Sequence, residues 1–140
     1  MIGGYMSFTG IDGRARYGTT ALAPILPVDL LAGDDRVEVP EGFVAEATSE
    51  DHPALNAVDR EWPRLLGYNR LLPRQGSTVL ATHGEDPILT VGHCGDGRAA
   101  AFASDLAPHW APPEFVEWSG YAQLWDSVLR WLGTADPGRG

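Results

Sequence analysis

Met1-Ile2-Gly3-Gly4-Tyr5-Met6-Ser7-Phe8 opens the chain, and the way this stretch is read decides the fold. An apolar pair runs straight into two glycines, the pattern of a buried strand ending in a tight turn where the backbone passes close to a neighbour. A strand end with no strand before it can neither cover its own edges nor close a sheet. The sequence therefore reads as the later part of a larger domain, entered at an internal methionine, and such a half-sheet is not expected to fold well by itself.

Working outward, Thr9 to Gly18 carries glycines and polar spacers with no period of two or 3.6, which predicts a loop across the end of a sheet. Thr19 or Thr20 suits the cap of a short helix through Ala21, Leu22 and Ala23, limited by Pro24 and Pro27. Val28 to Leu31 is an apolar run too short to classify, and Asp34-Asp35 is turn chemistry. Arg36-Val37-Glu38-Val39-Pro40 alternates like a half-exposed strand, with Phe43 to Ala47 as a further one. Asp51-His52-Pro53 predicts a helix start capped by Ser49 or Asp51, closed off by Trp62-Pro63.

The clearest region runs from Tyr68 to Asp105. Tyr68–Leu72, Thr78–Thr82, Ile88–Val91 and Ala99–Ser104 are apolar or β-branched runs joined by short glycine-containing links, which favours antiparallel hairpins over crossovers. Ala99 to Ala103 lacks polar alternation, as a strand buried on both faces would. From Tyr121, the residues Leu124, Trp125, Val128, Leu129 and Leu132 fall at three- and four-residue steps, predicting a helix with one apolar stripe. Gly133 suits a left-handed cap, Arg130 suits the negative helix end, and Pro137 stops continuation, leaving Asp136 to Gly140 as a tail. The domain reading is residues 1–133 followed by a tail of 134–140.

Composition narrows the function. A net charge of -9 and a pI near 4.7 argue against nucleic acid, since phosphate neutralisation needs clustered cations. The ten basic residues are all arginine and are dispersed, so no polybasic membrane anchor exists. No apolar run approaches the ~20 residues that span a bilayer, and no leader-like segment opens the chain. The single cysteine, Cys94, excludes an internal disulfide and multi-cysteine zinc motifs, in keeping with a reducing compartment. The expectation is a soluble cytoplasmic protein.

The glycine turn of residues 3–8, the segment Ala101-Phe102-Ala103-Ser104-Asp105-Leu106-Ala107-Pro108-His109-Trp110 and the closing Trp118-Ser119-Gly120-Tyr121 helix resemble the putative glutamine amidotransferase family. The similarity spans nearly the whole chain. It implies an α/β, flavodoxin-like fold of the class I glutamine amidotransferase-like superfamily, of which this chain would be the carboxyl-terminal part, its first parallel strands lying upstream. It also implies a site. Active class I members place a cysteine on the turn after a central strand and a histidine and glutamate past a later strand. By strand order those places are Gly3-Gly4-Tyr5-Met6-Ser7 and Ser104-Asp105-Leu106, and neither carries the catalytic residues. A thiolate is what attacks the glutamine amide, so the resemblance implies a domain without glutaminase chemistry.

The residues themselves leave several readings open. Asp105 and His109 lie four apart past a buried strand beside Trp110; on a helical turn they share a face, as in acid–base or metal-assisted hydrolysis. The plainer reading has Asp105 capping the next segment, His109 packing under the terminal helix and Trp110 filling core. Gly4, Tyr5, Ser7, Arg14, Asp105, His109 and Trp110 form the candidate ligand-binding set, because ligands of open α/β sheets bind past the carboxyl ends of strands. Arg14 or Arg16 either binds an anion, pairs with Asp105 or simply solvates the loop. Ser7 lacks the spacing of a hydrolase elbow. His93 and Cys94 point to opposite faces of a strand. His52, His83 and His93 have no metal-ligand spacing, so neither metal nor other cofactor is called for. A small ligand or a protein is the expected partner, with homo-oligomerisation left open; the tryptophans Trp62, Trp110, Trp118, Trp125 and Trp131 suit an interface as well as a core.

Overall fold

A computed structural model describes residues 1–48 and 50–134. Its described part is a mixed α/β arrangement in which strands β1 (Val28–Leu30), β2 (Arg36–Phe43), β3 (Glu46–Ala47), β4 (Leu65–Asn69), β5 (Leu71–Pro73), β6 (Thr78–His83), β7 (Asp86–Cys94) and β8 (Gly97–Phe102) precede helices α1 (Pro113–Val116) and α2 (Tyr121–Gly133).

The central sheet has the order β3-β6-β7-β8, antiparallel throughout. β7 forms its spine because Ile88 to Val91 is an unbroken buried run, able to pair on both edges with both faces covered. The β6–β7 and β7–β8 hairpins expected from the glycine links are present. Beyond β8 the pairing changes sense: Ile2 bridges Phe102 in parallel, so the opening segment lies on the far edge of β8.

The run from Tyr68 to Leu72 proves to be two strands. β4 pairs antiparallel with β2, and β5 pairs antiparallel with β1. The chain changes partner at Asn69 and Arg70, where the Asn69 N–H donates to the Ala103 carbonyl (2.9 Å) and the Arg70 N–H to the Asp35 carbonyl (2.6 Å). β4 is thereby stitched to the end of β8, and the Leu66 N–H bonds the Trp110 carbonyl (2.8 Å) in the same way. Val28 to Leu30 is a strand, settling the short apolar run, while Thr9 to Gly18 is a loop with single turns at Ile11–Gly13 and Tyr17–Thr19.

Several local expectations are corrected. The helix expected through Ala21 to Ala23 is a single tight turn at Ala23–Ile25 with Pro24 inside it. Near residue 52 only one turn forms, Pro53–Leu55, and its cap is His52, whose Nδ1 accepts from the Ala54 N–H (3.1 Å), rather than Asp51. Ser49, the other expected cap, lies outside the described residues, as does the tail from 135 onward with Pro137. Gly133 is the last helical residue of α2 instead of a left-handed cap; Thr134 ends the helix in extended conformation.

The core lies between the sheet and α2. Leu124, Val128 and Trp131 bury one face of the helix, while Phe102 and Phe115 meet in a stacked pair with centroids 6.3 Å apart. Leu129, expected in the buried stripe, is 65% exposed. Among the described residues no helix is long and apolar enough to cross a membrane.

Candidate functional site

The glycine turn is built by close approach. Along the parallel edge, the Phe102 N–H donates to the Met1 carbonyl (3.0 Å) and the Gly3 N–H to the Phe102 carbonyl (2.8 Å). A Cβ at Gly3 would fall 2.1 Å from the Ala103 carbonyl oxygen, so only glycine lets the strand run this near. The chain then reverses at Gly4 (φ 139°), and the Ser7 N–H closes the turn on the Gly4 carbonyl (3.2 Å).

Two buried polar side chains hold that turn. Asn69 is 0% exposed, and its Oδ1 accepts from the Gly4 N–H (2.9 Å). Its Nδ2 donates to Asp35 Oδ1 (2.7 Å), and Asp35, 2% exposed, also accepts from the Gly10 N–H at Oδ1 and the Thr9 N–H at Oδ2, both at 2.9 Å. One carboxylate thus satisfies three donors from the loop and β4, the condition under which a polar group tolerates burial. Local sequence points to neither residue as a support of the turn. Asp35 sits in Gly33-Asp34-Asp35, which looks like turn chemistry, and Asp34 does play that part, accepting from the Arg36 N–H (3.1 Å).

A half-exposed aromatic and charged cluster covers the outer side. The Tyr5 hydroxyl donates to Glu38 Oε1 (2.6 Å), and Trp110 Nε1 donates to Glu38 Oε2 (3.1 Å). The Arg36 guanidinium lies 4.5 Å over the Tyr5 ring while pairing with Asp34 (2.7 Å). The Glu38 hydrogen bond raises the Tyr5 phenol above its ordinary pKa, and the Arg36 hydrogen bond holds Asp34 well below the usual carboxylate range. Trp110 is buried as expected, yet His109 is exposed and its ring meets Tyr5 edge-on at 4.3 Å, instead of packing under the terminal helix.

The structure brings some of the sequence candidates together and separates others. Gly4, Ser7 and Asp105 converge: a Cβ at Gly4 would lie 3.7 Å from Ser7 Oγ and 3.8 Å from Asp105 Oδ2. Asp105 does act as a local cap, with Oδ1 accepting from the Leu106 N–H (2.8 Å). Among the described residues Asp105 and His109 share no hydrogen bond, so the acid–base pair is not assembled; His109 joins Tyr5 and Trp110 instead. Arg14 pairs with Asp12 (3.3 Å) in an exposed loop rather than with Asp105. Cys94 faces Gly97 at the β7–β8 hairpin end, the far end of β8 from the turn. Among the described residues no group of three or more potential metal ligands gathers.

The opening segment, bridged in parallel to β8 at Ile2 and ending on a glycine turn beside Ser104 and Asp105, belongs to an α/β domain whose candidate site lies past the end of β8. The chain belongs to the putative glutamine amidotransferase family, whose sequence profile matches residues 1–134. It is similar to the cytoplasmic protein STM1381 of Salmonella typhimurium LT2, with 48% identity and a TM-score of 0.90 over 94% of this chain and 54% of that one. Similarity to the cytoplasmic protein STM3548 of Salmonella typhimurium is of the same order: 45% identity, TM-score 0.89, 94% of this chain and 53% of that one. The chain therefore spans about half the length of these solved relatives. The mmIFT52 N-terminal domain shares the fold alone, at 16% identity and a TM-score of 0.56 over 94% of this chain and 68% of that one. Among curated proteins none matches this chain.

Proposed function

We propose that this chain is the carboxyl-terminal part of a flavodoxin-like, amidotransferase-like domain that binds a small ligand at the glycine turn and does not hydrolyse glutamine. The observation that carries the reading is the turn itself, where Ser7 and Asp105 flank Gly4 and no thiol is present. The lone sulfur nucleophile, Cys94, sits at the opposite end of β8, about 20 Å away at ~3.3 Å per residue. Among the described residues no imidazole is hydrogen-bonded to Ser7, and covalent amide hydrolysis needs nucleophile and base within hydrogen-bond reach.

Ligand binding is favoured because the turn is preorganised from behind and open in front. Asp35 and Asn69 fix its backbone, while Met6, Ser7, Asp105 and His109 remain wholly or partly accessible. A cytoplasmic location goes with this reading, supported by the lone cysteine and by the names of the two Salmonella proteins. The test combines ammonia release from glutamine with a thermal-shift survey of small metabolites. No ammonia above buffer is expected, together with a saturable ligand whose affinity drops in His109→Ala. Ammonia release abolished by Ser7→Ala overturns the silent-site reading; a protein partner captured at the turn, with no saturable small ligand, overturns the ligand reading.

A further inference from the structure

The turn Pro53–Leu55 meets the end of α2 around one indole. Trp131 is buried there, with the His52 ring 5.4 Å and the His93 ring 6.0 Å from its own, and the Arg98 guanidinium 5.0 Å over it. Arg98 Nη1 donates to the Trp131 carbonyl (2.7 Å), while Arg98 Nε is buried with no acceptor among the described residues. His52 Nδ1 accepts from the Ala54 N–H, so its ring is the neutral form with the hydrogen on Nε2. A second proton has only Nδ1 to go to, and there it turns the acceptor that caps the turn into a donor facing a donor. Another polar tie across the joint is the Ser127 hydroxyl, which donates to the Asn56 carbonyl (2.9 Å). Beside it lies a cavity of about 370 Å³ bordered by Pro53, Asn56, Arg98, Ser127, Arg130 and Trp131, which leaves room for water at the joint.

We infer that this joint is a proton-operated latch: a proton on His52 Nδ1 removes the cap of the turn, sets a positive charge beside Arg98, and frees the turn from α2. The charges facing His52 do not compensate that proton. The β7–β8 hairpin supplies Arg98 and His93; on α2, Asp126 and Arg130 neutralise each other in a pair (2.7 Å); in the segment of His52 itself, Asp51 is exposed to water and Arg60 adds a further cation. Burial, and after it the charges of Arg98 and His93, resist the proton in the closed form, and an open turn gives the imidazole back to water. The open form therefore binds the proton more tightly. Its population rises as pH falls through about 6.5, by up to about tenfold per unit, until the lower closed-form value is passed. Ala54 and Leu55, both buried, keep the closed form in the majority, and the latch acts on a minor open state.

The test is native-state hydrogen exchange of the full chain between about pH 7.5 and about pH 5, with and without low urea, corrected for the intrinsic pH dependence of exchange. It is read at the Leu55 N–H, bonded to the His52 carbonyl (2.8 Å), and the Val58 N–H, bonded to the Leu55 carbonyl (3.1 Å), against Leu89 and Val91 in β7, a strand paired on both edges. Opening at Leu55 and Val58 should rise several-fold over that range and hardly respond to urea, whereas exchange at Leu89 and Val91 should need the full, urea-sensitive unfolding. His52→Asn, which keeps an acceptor for the Ala54 N–H and does not titrate, should show no rise. A flat profile in the native chain, the same rise in His52→Asn, or a urea response at Leu55 as steep as at Leu89 overturns the inference. If the variant does not fold, the ring-nitrogen chemical shifts of His52 in the native chain decide. A bare Nδ1 at about pH 7.5, protonated only where the rise levels off, is expected; an Nδ1 that already carries a proton at about pH 7.5 overturns the latch equally.

Discussion

Replacing Asp35 with alanine should cost this protein a large fraction of its stability, and the size of the loss follows from counting donors. Three groups give their hydrogens to the Asp35 carboxylate: the Thr9 and Gly10 N–H groups and Asn69 Nδ2. All three bonds are buried, and a buried donor left without a partner costs about 1–3 kcal/mol. With partial rescue by water entering the space, Asp35→Ala should lose about 3–6 kcal/mol, against a total of about 5–15 kcal/mol for a domain. Asp35→Asn is the discriminating control. Its carbonyl oxygen, placed where Oδ1 lies, keeps the Gly10 and Asn69 donors satisfied, and its amide group faces the Thr9 N–H, so one bond is lost and about 1–3 kcal/mol with it.

Urea unfolding followed by tryptophan fluorescence reads both variants. With a slope of about 1–3 kcal/mol per molar, Asp35→Ala should move the midpoint down by about 2 M and Asp35→Asn by about 1 M or less. Hydrogen exchange should also quicken at Gly4, because Asn69 loses the partner that orients it. A loss below about 1 kcal/mol for Asp35→Ala would refute the reasoning, since it would mean that the three donors find other partners at no cost. Equal losses for the two variants would refute it differently, making the charge matter and the bond count irrelevant.

Two further outcomes follow from particular residues. Gly3→Ala places a methyl 2.1 Å from the Ala103 carbonyl and 2.7 Å from the Ser104 carbonyl, both backbone atoms that cannot swing aside, so a loss of about 3 kcal/mol or more in urea unfolding is expected and a loss under about 1 kcal/mol would contradict the geometry. Burial first, and then the charges of Arg98 and His93, hold the His52 imidazole below its ordinary pKa. The unfolded chain takes up a proton there that the folded chain resists, so the native state loses stability as pH falls through about 6.5 and continues to lose it down to the lower folded value. His52→Asn keeps an acceptor for the Ala54 N–H and removes the titration, so its stability between about pH 7 and 5 should be flatter than the native profile; parallel profiles would rule the effect out.

The parts legible in the sequence are those set by local pattern. The stripe of α2, the hairpins about β7 and the turn after Ile2 each depend on spacing within about ten residues, where side-chain period and turn chemistry act directly. What escaped depends on partners far along the chain. Asp34 and Asp35 are chemically identical neighbours, yet one lies open at a turn with Arg36 and the other is buried under a loop that begins 26 residues earlier, at Thr9. Adjacent side chains take opposite sides of an extended backbone, and nothing local says which side will be covered. His109 is the converse case: the sequence spacing offers Asp105 as its partner, and the fold supplies Tyr5, which is near in space because the opening segment is bridged to β8 at Ile2.

The same geometry separates what holds the turn after Ile2 from what the turn displays. The backbone of the turn is fixed by Asn69 and Asp35, which act from the buried side. Carboxylates on the open side are already engaged: Glu38 takes the Tyr5 hydroxyl and Trp110 Nε1, Asp34 takes Arg36, and Asp105 Oδ1 takes the Leu106 N–H. The support of the turn and the chemistry displayed on it therefore reside in different residues. A residue change on the open face can therefore leave the support untouched, whereas a change at Asp35 or Asn69 removes the bonds that hold the turn in place.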